Sequence, residues 1–255
     1  QKVKSLEKLY DRLKITFVEH PIQADKFPDV INDGYWPKPT WYRLWAADIL
    51  PNIDKIIHID CDCFITGDLD EMYNLNMTDL NVRGVIDPSP HNSKIVKNDK
   101  YICTGVILMN LKRMRETKMS KKYEDIIIKY PKKLNFVDQT VFNSVDIENN
   151  DLLPLKYGIL YVGVSPSSYY YMMRCKDRFT IDDFKDAFAN PIIAHLVWKP
   201  FHFLIHHPIY LKWWEMAMIT CYHEEFKEKY DFYSKYEPLL NMTFINENRK
   251  TSCGK

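Results

Sequence analysis

Short apolar runs alternate along this chain with segments whose apolar residues recur at helical spacing, and that alternation restricts the fold more than any other feature. Four runs have the length of buried strands: Ile56–Ile59, Val82–Ile86, Gly105–Met109 and Ile192–Ala194. Three segments carry an apolar helical stripe: 40–50, 120–130 and 180–188. Strands that alternate with helices predict an α/β fold with an open, mostly parallel sheet flanked by helices.

The end of the chain has a different pattern from the rest. Its 255 residues are enough for one large α/β domain. After residue 207, aromatic residues recur at a spacing that is typical of a helix packed on a core: Tyr210, Trp213 and Trp214. We therefore expect a main domain at 1–207 and a helical C-terminal extension at 208–255.

The charges of the chain nearly cancel, with 35 Lys and Arg against 34 Asp and Glu. That balance leaves no bulk basic surface for nucleic acid or for an anionic membrane. No apolar stretch approaches the roughly 20 residues that span a bilayer. The six cysteines form no CxxC pair, which favours a reducing compartment over a disulfide framework. We therefore expect a cytoplasmic protein, on its own or associated with the inner face of a membrane.

Two acidic residues, Asp60 and Asp62, follow the apolar run at Ile56–Ile59. Ligands of open α/β sheets bind at the carboxyl ends of strands, which is where this pair stands. Carboxylate oxygens also suit Mg²⁺ or Mn²⁺ ions that bridge to phosphates. The pair is therefore a candidate site for a metal-bound diphosphate.

The DxD pattern alone carries little weight, because 22 Asp in 255 residues produce about two such pairs by chance. The chain has two. The second pair, Asp68 and Asp70, is interpreted as a helix cap on a solvated turn. Without further support, the first pair could equally be a solvated strand end.

That support comes from four blocks of sequence. The first is YRLWAADILPNIDKIIHIDCDCFITGDLDEMYN at Tyr42–Asn74, which contains the first DxD pair. Three more follow in order: YICTGVILMNLKRMRE at Tyr101–Glu116, VDQTVFN at Val137–Asn143 and AHLVWKP at Ala194–Pro200. Together they resemble the ordered blocks of the family 8 glycosyltransferases. The resemblance implies a GT-A fold and a hexosyltransferase that moves glucose or galactose from a UDP-sugar donor to a glycan-type acceptor, lipid- or protein-linked.

The resemblance also implies roles for residues that bind the donor diphosphate. Asp60, Asp62 and His195 match the family ligands of Mn²⁺, with Mg²⁺ as the other candidate ion. Lys199 matches the Lys that meets the diphosphate. From the residues alone, His195 is either a metal ligand or a hydrogen-bonded histidine at a strand end.

Other matched positions imply contacts to the donor sugar. Arg43 matches the Arg that touches this sugar, and Asp138 and Gln139 match an Asp-Gln pair beside the anomeric carbon. Family members retain the anomeric configuration, and an amide is a poor nucleophile, so two routes stay open. One is front-face attack by the acceptor, and the other is double displacement with Asp138 as nucleophile.

The chain departs from the family pattern in three places. Cys103 stands where Asn is usual, which changes one donor contact, and Trp198 stands in a shortened loop before Lys199. The pattern of this chain predicts a helix at Leu6–Leu13 and then a short strand at Ile15–Val18. In the family, the strand that holds the base and ribose comes before that helix. We therefore expect the catalytic domain at 1–207 to be incomplete, with a native segment before Gln1.

Two alternatives accompany this interpretation. A haloacid-dehalogenase-like phosphatase also has DxD after an apolar strand, although Phe64 is unusual in its motif. A catalytically degenerate protein that binds sugar nucleotide or glycan without turnover is suggested by Cys103 and by the loop of Trp198.

Overall fold

The computed structural model describes residues 14–22, 37–87, 96, 100–160, 175–197, 200, 208–220, 222–232 and 234–235. The predicted helix at Leu6–Leu13 and the positions of Trp198 and Lys199 lie outside these residues. Ile15–Val18 is described, but the prediction of a strand there is wrong. The side chains of this segment are largely exposed, and none of the described strands pairs with it. An apolar run needs a partner for its backbone groups before it can form a strand.

The strands and helices alternate, as the apolar pattern predicts. The strands are β1 (Lys55–Ile59), β2 (Cys63–Ile65), β3 (Val82–Ile86), β4 (Ile102–Asn110), β5 (Asn150–Leu152), β6 (Ile159–Leu160) and β7 (Ile193–His195). Among the described residues, the α-helices include α1 (Ala46–Ile49), α2 (Asp70–Tyr73), α3 (Leu111–Glu116), α4 (Met119–Lys129), α5 (Val137–Phe142), α6 (Ile181–Ala189) and α7 (Pro208–Met218), and residues 223–232 are also helical. Short 3-10 helices occur at Lys38–Trp45, Ile147–Asn149 and Leu155–Tyr157.

Two sheets organise the described strands. The larger has the order β1-β4-β3-β5, and the smaller has the order β2-β7-β6. The chain enters the smaller sheet directly from the larger one, because only a short turn separates β1 from β2. This turn carries Asp60 and Asp62, so the predicted metal site lies where the two sheets meet.

The direction of the strands differs from the prediction of a mostly parallel sheet. In the larger sheet β1, β3 and β5 run the same way, but β4 lies reversed between β1 and β3 and pairs with both in antiparallel register. In the smaller sheet β2 is antiparallel to β7, and β6 is parallel to it. The described sheets therefore contain both antiparallel and parallel strand pairings. Apolar runs do not reveal strand direction, since a buried strand has the same pattern in either direction.

The pairing of β3 with β4 is interrupted near the predicted site. Gly84 faces Ile107, but Ile86 faces Ile102, so the stretch Cys103–Gly105 is excluded from the β3 ladder. Such irregularities bend a strand and leave backbone groups without a ladder partner. The side of Cys103–Gly105 that faces away from β1 is therefore open to side chains from other elements.

The larger sheet separates two hydrophobic clusters. Along β4, Val106 and Leu108 point into one cluster, whereas Ile107 and Met109 point into the other. This alternation follows from the two-residue period of a strand and explains why the whole run is apolar.

The helices cover the sheets through their predicted apolar stripes. Met119, Tyr123 and Ile127 recur one turn apart on α4 and are all buried. A capping box formed by Thr180 and Asp183 begins α6. On α7, Ile209 and Tyr210 are buried in the same cluster as Leu108 of β4. None of the described helices is long and apolar enough to cross a membrane.

Candidate active site

The turn between β1 and β2 positions the two carboxylates of the DxD pair. The backbone N–H of Asp60 donates to Gly105 O on β4 at 2.8 Å, and the N–H of Cys63 donates back to Asp60 O at 3.1 Å. The carbonyl of Asp62 then accepts from Leu196 N, just beyond β7, at 2.8 Å. Backbone hydrogen bonds therefore hold the turn against both β4 and β7.

The guanidinium of Arg43 and the imidazole of His58 hold the Asp60 carboxylate. Its Oδ1 lies 2.8 Å from Arg43 Nη2 and 3.2 Å from His58 Nε2. Burial would raise the pKa of Asp60, but the hydrogen bond to His58 and the charge of Arg43 outweigh burial and lower this pKa. Burial is the main cause of the lowered pKa of His58. Asp60 is therefore anionic at neutral pH and is fixed by partners within the protein.

The Asp62 carboxylate instead faces His195. Asp62 Oδ1 lies 3.1 Å from His195 Nε2, although 133 positions separate the two residues in the chain. The antiparallel pairing of β2 with β7 brings them together, because it sets Cys63 directly opposite His195. A side chain at Gly105 would collide with this imidazole, since an added Cβ would lie 2.2 Å from His195 Cε1. The glycine therefore makes room for the histidine ring.

The ligand atoms that face one another are suited to a divalent metal ion. Atoms of Asp62, Cys63 and His195 all lie within 4.8 Å of one another. A carboxylate oxygen and an imidazole nitrogen fit the preferences of Mn²⁺, and a carboxylate fits Mg²⁺. Asp60, the third predicted ligand, adjoins this group, but one of its oxygens is bonded to Arg43. The donor set thus fits a divalent ion, with Cys63 as a member that the sequence did not predict.

A buried polar network joins the residues predicted to contact the donor sugar. Arg43 Nε lies 3.3 Å from Asp138 Oδ2, and Arg43 Nη1 donates to Thr104 O at 2.7 Å. Thr104 Oγ1 donates to the same Asp138 oxygen at 3.0 Å, and Thr104 N donates to Gln139 Oε1 at 3.1 Å. The backbone groups of Thr104 are available because this residue lies in the interruption of the β3 ladder. The interruption of the β3 ladder therefore leaves the Thr104 backbone groups for Arg43 and Gln139, and these two side chains replace the missing ladder hydrogen bonds.

Asp138 and Gln139 stand at the start of α5, and both are held firmly. Asp138 is 2% exposed, and burial raises its pKa to about 6 despite the opposing charge of Arg43. Gln139 Nε2 donates to Asp87 Oδ2 at 2.8 Å, so both ends of its amide are engaged. Val137, which precedes the pair, has a φ of 37°, a strained conformation for a β-branched residue. Local strain at this helix start accompanies the fixed orientation of the two side chains.

Cys103, which stands where the family pattern has Asn, lies beside His195. It is buried, and its Sγ lies 3.7 Å from His195 Nδ1. Burial raises the pKa of its thiol well above the usual range. In the described structure Cys103 therefore supports His195 from the side opposite Asp62. Lys199 lies outside the described residues, so its predicted contact with a diphosphate remains a prediction.

Four residues of this site escaped the sequence interpretation: His58, Cys63, Asp87 and Thr104. His58 interrupts an otherwise apolar strand, which is a usable signal because a polar residue there needs a partner. Asp87 directly follows β3, the position where functional carboxylates of α/β sheets commonly stand. Thr104 acts mainly through its backbone, and nothing in the side-chain pattern reveals such a role.

The fold resembles that of GT-A sugar transferases of known structure. A crystal structure of the galactosyltransferase LgtC in complex with donor and acceptor sugar analogues superposes with a TM-score of 0.65. The two chains are 20% identical, and the match covers 84% of this chain and 79% of the other. The α/β fold is therefore of the GT-A type, as the four sequence blocks predicted.

Sequence comparison identifies the family. The family model described as glycosyl transferase family 8 matches residues 1–183, so the protein belongs to glycosyltransferase family 8. Lipopolysaccharide 1,2-glucosyltransferase of Escherichia coli is 25% identical over 195 residues, which cover 71% of this chain and 56% of that enzyme. General stress protein A of Bacillus subtilis is 21% identical over 207 residues, 76% of this chain and 69% of the relative. The chain spans about half the length of the E. coli lipopolysaccharide glucosyltransferases it matches.

Family membership also decides one of the alternatives. A haloacid-dehalogenase-like phosphatase is excluded, because the DxD pair belongs to a chain of a different family and fold. In addition, Asp68 and Asp70 lie on an exposed turn at the start of α2, as predicted, but the N-cap residue is Leu69 and no side chain caps the helix there. Asp68 Oδ1 accepts from the backbone N–H of Asp70 at the start of α2, at 2.7 Å.

Proposed function

We propose that the protein transfers a hexose from UDP-glucose or UDP-galactose to a glycan-type acceptor, lipid- or protein-linked, with retention of anomeric configuration and dependence on Mn²⁺. The observation that carries this proposal is the network of Arg43, Asp60, Thr104 and Asp138 beside the facing pair of Asp62 and His195. Anion-neutralising and sugar-binding groups thereby adjoin one another, as the transfer of a sugar from a diphosphate requires.

Asp62 and His195, together with Asp60, are proposed to hold the metal ion. When bound, such an ion supplies positive charge that stabilises the diphosphate as the leaving group. Arg43 keeps Asp60 anionic and oriented before any ion binds, because its guanidinium lies 2.8 Å from that carboxylate. Lys199 is proposed to add a second positive charge near the diphosphate.

Arg43, Asp138 and Gln139 are proposed to position the donor sugar. The amide of Gln139 is oriented by Thr104 at one end and by Asp87 at the other, so it presents a fixed polar edge. An amide held in this way positions a substrate and does not attack it. Cys103 lies against His195 and is proposed to influence the donor site through that ring.

The environment of Asp138 supports front-face attack over double displacement. One oxygen of this carboxylate is already bonded to Arg43 and to Thr104, and the residue is 2% exposed. A nucleophile must be able to approach the anomeric carbon, and a carboxylate as deeply buried as that of Asp138 is poorly accessible to a sugar. In the route that we favour, the acceptor hydroxyl attacks on the face from which the diphosphate departs, and a leaving phosphate oxygen takes the proton.

The classes of donor and acceptor come from the relatives. The E. coli relative is named a lipopolysaccharide glucosyltransferase, and LgtC is named a galactosyltransferase. Glucose and galactose donors and a lipid-linked glycan acceptor are therefore the proposed substrates. A cytoplasmic protein that works at the inner face of a membrane agrees with this choice.

The decisive experiment is donor turnover with substitutions in both DxD pairs. UDP release is measured with Mn²⁺ and with each of several UDP-sugars. Asp60→Asn and Asp62→Asn should each lower turnover by about 100-fold or more, because they remove charge at the diphosphate site. Asp68→Asn and Asp70→Asn are the matched controls and should retain turnover, since both side chains are exposed on the turn before α2 and have no contact with the proposed site among the described hydrogen bonds and ion pairs.

Two other outcomes would change the conclusion. Full turnover in both Asp60→Asn and Asp62→Asn would contradict the proposed site. Binding of UDP without turnover of any UDP-sugar by the unmodified protein would favour the degenerate binding protein, the alternative suggested by Cys103 and by the loop of Trp198.

A further inference from the structure

A thiol lies beside the imidazole at the metal site, and the proposed transfer reaction gives it no role. Cys63 on β2 is the direct register partner of His195 on β7. Side chains of directly opposed residues in an antiparallel pair extend from the same face, with Cβ atoms about 4.5–5.5 Å apart. The pairing of the two strands therefore sets a sulfur ligand next to a nitrogen ligand.

The third ligand comes from the residue before Cys63. Asp62 Oδ1 already lies 3.1 Å from His195 Nε2, and the ligand atoms of all three residues lie within 4.8 Å of one another. Ligand atoms around a tetrahedral zinc ion are roughly 3.3–3.8 Å apart, given metal–ligand bonds of about 2.0–2.3 Å. The largest separation therefore exceeds the spacing in a zinc site by at most about 1 Å.

The partners of the two DxD carboxylates favour this set. Asp60 Oδ1 is engaged by Arg43 and His58, so in this conformation Asp60 is directed toward cationic and polar protein groups. The ligand group of the described structure accordingly contains Cys63 in addition to Asp62 and His195, and not Asp60. Cys63 is half-buried, and its sulfur makes a weak 3.8 Å approach to Gly105 O.

We propose that Asp62, Cys63 and His195 form a site for a thiophilic divalent cation such as Zn²⁺. A carboxylate, a thiolate and a neutral imidazole are ligands that zinc accepts, with a fourth position left for water. Mn²⁺ and Mg²⁺ prefer oxygen ligands and have little tendency to bind a thiolate. The same turn can thus bind two classes of ion by different sets of side chains.

Binding of the divalent cation releases one proton from the protein. The Cys63 S–H bond is broken, a sulfur–metal bond forms, and the proton passes to solvent. His195 binds through Nε2 as a neutral ring, so its proton resides on Nδ1. Nδ1 lies 3.7 Å from Cys103 Sγ, and this sulfur is a weak acceptor for a hydrogen bond from the Nδ1–H group. This inference concerns binding of the ion alone and does not depend on the proposed transfer reaction.

The test is a titration of the metal-free protein with Co²⁺, a spectroscopic substitute for Zn²⁺, without nucleotide. A thiolate ligand should produce a sulfur-to-cobalt charge-transfer band in the near ultraviolet, and added Zn²⁺ should abolish it. Cys63→Ser should remove the band and weaken Zn²⁺ binding by more than about tenfold, because even changes beyond the ligands cost roughly 10–100-fold. Thermal unfolding of the metal-free variants shows whether each substitution preserves the fold.

Neighbouring thiols supply matched controls. Cys61→Ser removes the exposed thiol on the other side of Asp62, and Cys103→Ser removes the sulfur that faces Nδ1. Both variants should keep the charge-transfer band. The proposal is overturned if the unmodified protein shows no such band, if the band persists in folded Cys63→Ser, or if it is lost in Cys61→Ser instead.

Discussion

Arg43 is half-buried between two carboxylates from distant parts of the chain, Asp60 after β1 and Asp138 on α5. Burial would lower the pKa of Arg43, but the charges of Asp138 and Asp60 outweigh burial and raise that pKa. A guanidinium suits this position, because its several donors reach both carboxylates and the Thr104 carbonyl at once. One residue thereby connects the proposed diphosphate site with the proposed sugar site.

The raised pKa of Asp138 predicts a measurable dependence of stability on pH. The folded pKa is about 6, above the usual value of 3.8, so the folded protein binds more protons than the unfolded chain between these values. The free energy of unfolding of the unmodified protein, relative to Asp138→Asn, should therefore fall as pH rises from about 4 to about 6. Above about 6 the difference should be constant. Urea denaturation of both proteins across this range measures it.

The pH dependence attributed to Asp138 has a matched control at another carboxylate, Asp151. Asp151→Asn removes a carboxylate that pairs with Arg83 and is about one-third exposed, and this variant should follow the unmodified protein. If the unmodified protein instead gains stability relative to Asp138→Asn as pH rises, then the charge of Arg43 dominates over burial and the pKa of Asp138 is lowered.

At the scale of elements, the start of β4 depends on the side chain of Asn143, the C-cap residue that directly follows α5. Asn143 Oδ1 accepts from the Ile102 N–H at 2.7 Å, and Asn143 Nδ2 donates to Ile102 O at 2.8 Å. Asn143 thus bonds both backbone groups of the residue that precedes the interruption at Cys103–Gly105. The sheet and the helix that carries Asp138 and Gln139 are joined at this point.

Asn143→Ala should destabilise the protein by about 3 kcal/mol. The substitution leaves two buried backbone groups of Ile102 without their partners, and each such loss costs roughly 1–3 kcal/mol. Ser144→Ala is the matched control, because it removes only the half-buried bond to Val141 O and should cost less than about 1 kcal/mol. Urea denaturation at neutral pH compares the two, and equal losses would show that Asn143 has no special role in joining the elements.

At the scale of the whole molecule, helix α7 shares the core of the sheets. Ile209 and Tyr210 of α7 are buried in the same cluster as Phe184 of α6 and Leu108 of β4. We propose that the catalytic domain at 1–207 and the helical extension at 208–255 fold as one cooperative unit, because they bury a common apolar surface.

Tyr210→Ala should therefore destabilise the whole protein by about 3–5 kcal/mol, since it removes a fully buried aromatic ring. Leu211→Ala changes a neighbouring residue that is 39% exposed and should cost less than about 1 kcal/mol. Thermal unfolding followed by far-ultraviolet circular dichroism should give a single transition in each case. Two separate transitions, of which only one shifts in Tyr210→Ala, would contradict cooperative folding.

The sequence alone determined the class of fold, the family and the exit of β1 as the place of the acidic pair. Apolar period and length identify strands and helices because burial acts locally on each element. Ordered blocks identify a family because many positions agree at once. The predictions for Arg43, Asp138 and Gln139 also came from those blocks, and the structure places these residues in one network.

Only the tertiary structure decided which groups face one another. The reversal of β4, the pairing of Cys63 with His195 and the interruption at Cys103–Gly105 all depend on the register between strands far apart in sequence. A register shift of one residue turns a side chain to the other face, so residue types alone do not specify contacts. For that reason the sequence indicated Asp60 as a metal ligand, whereas the structure directs one of its oxygens to Arg43 and sets the Cys63 thiol beside His195.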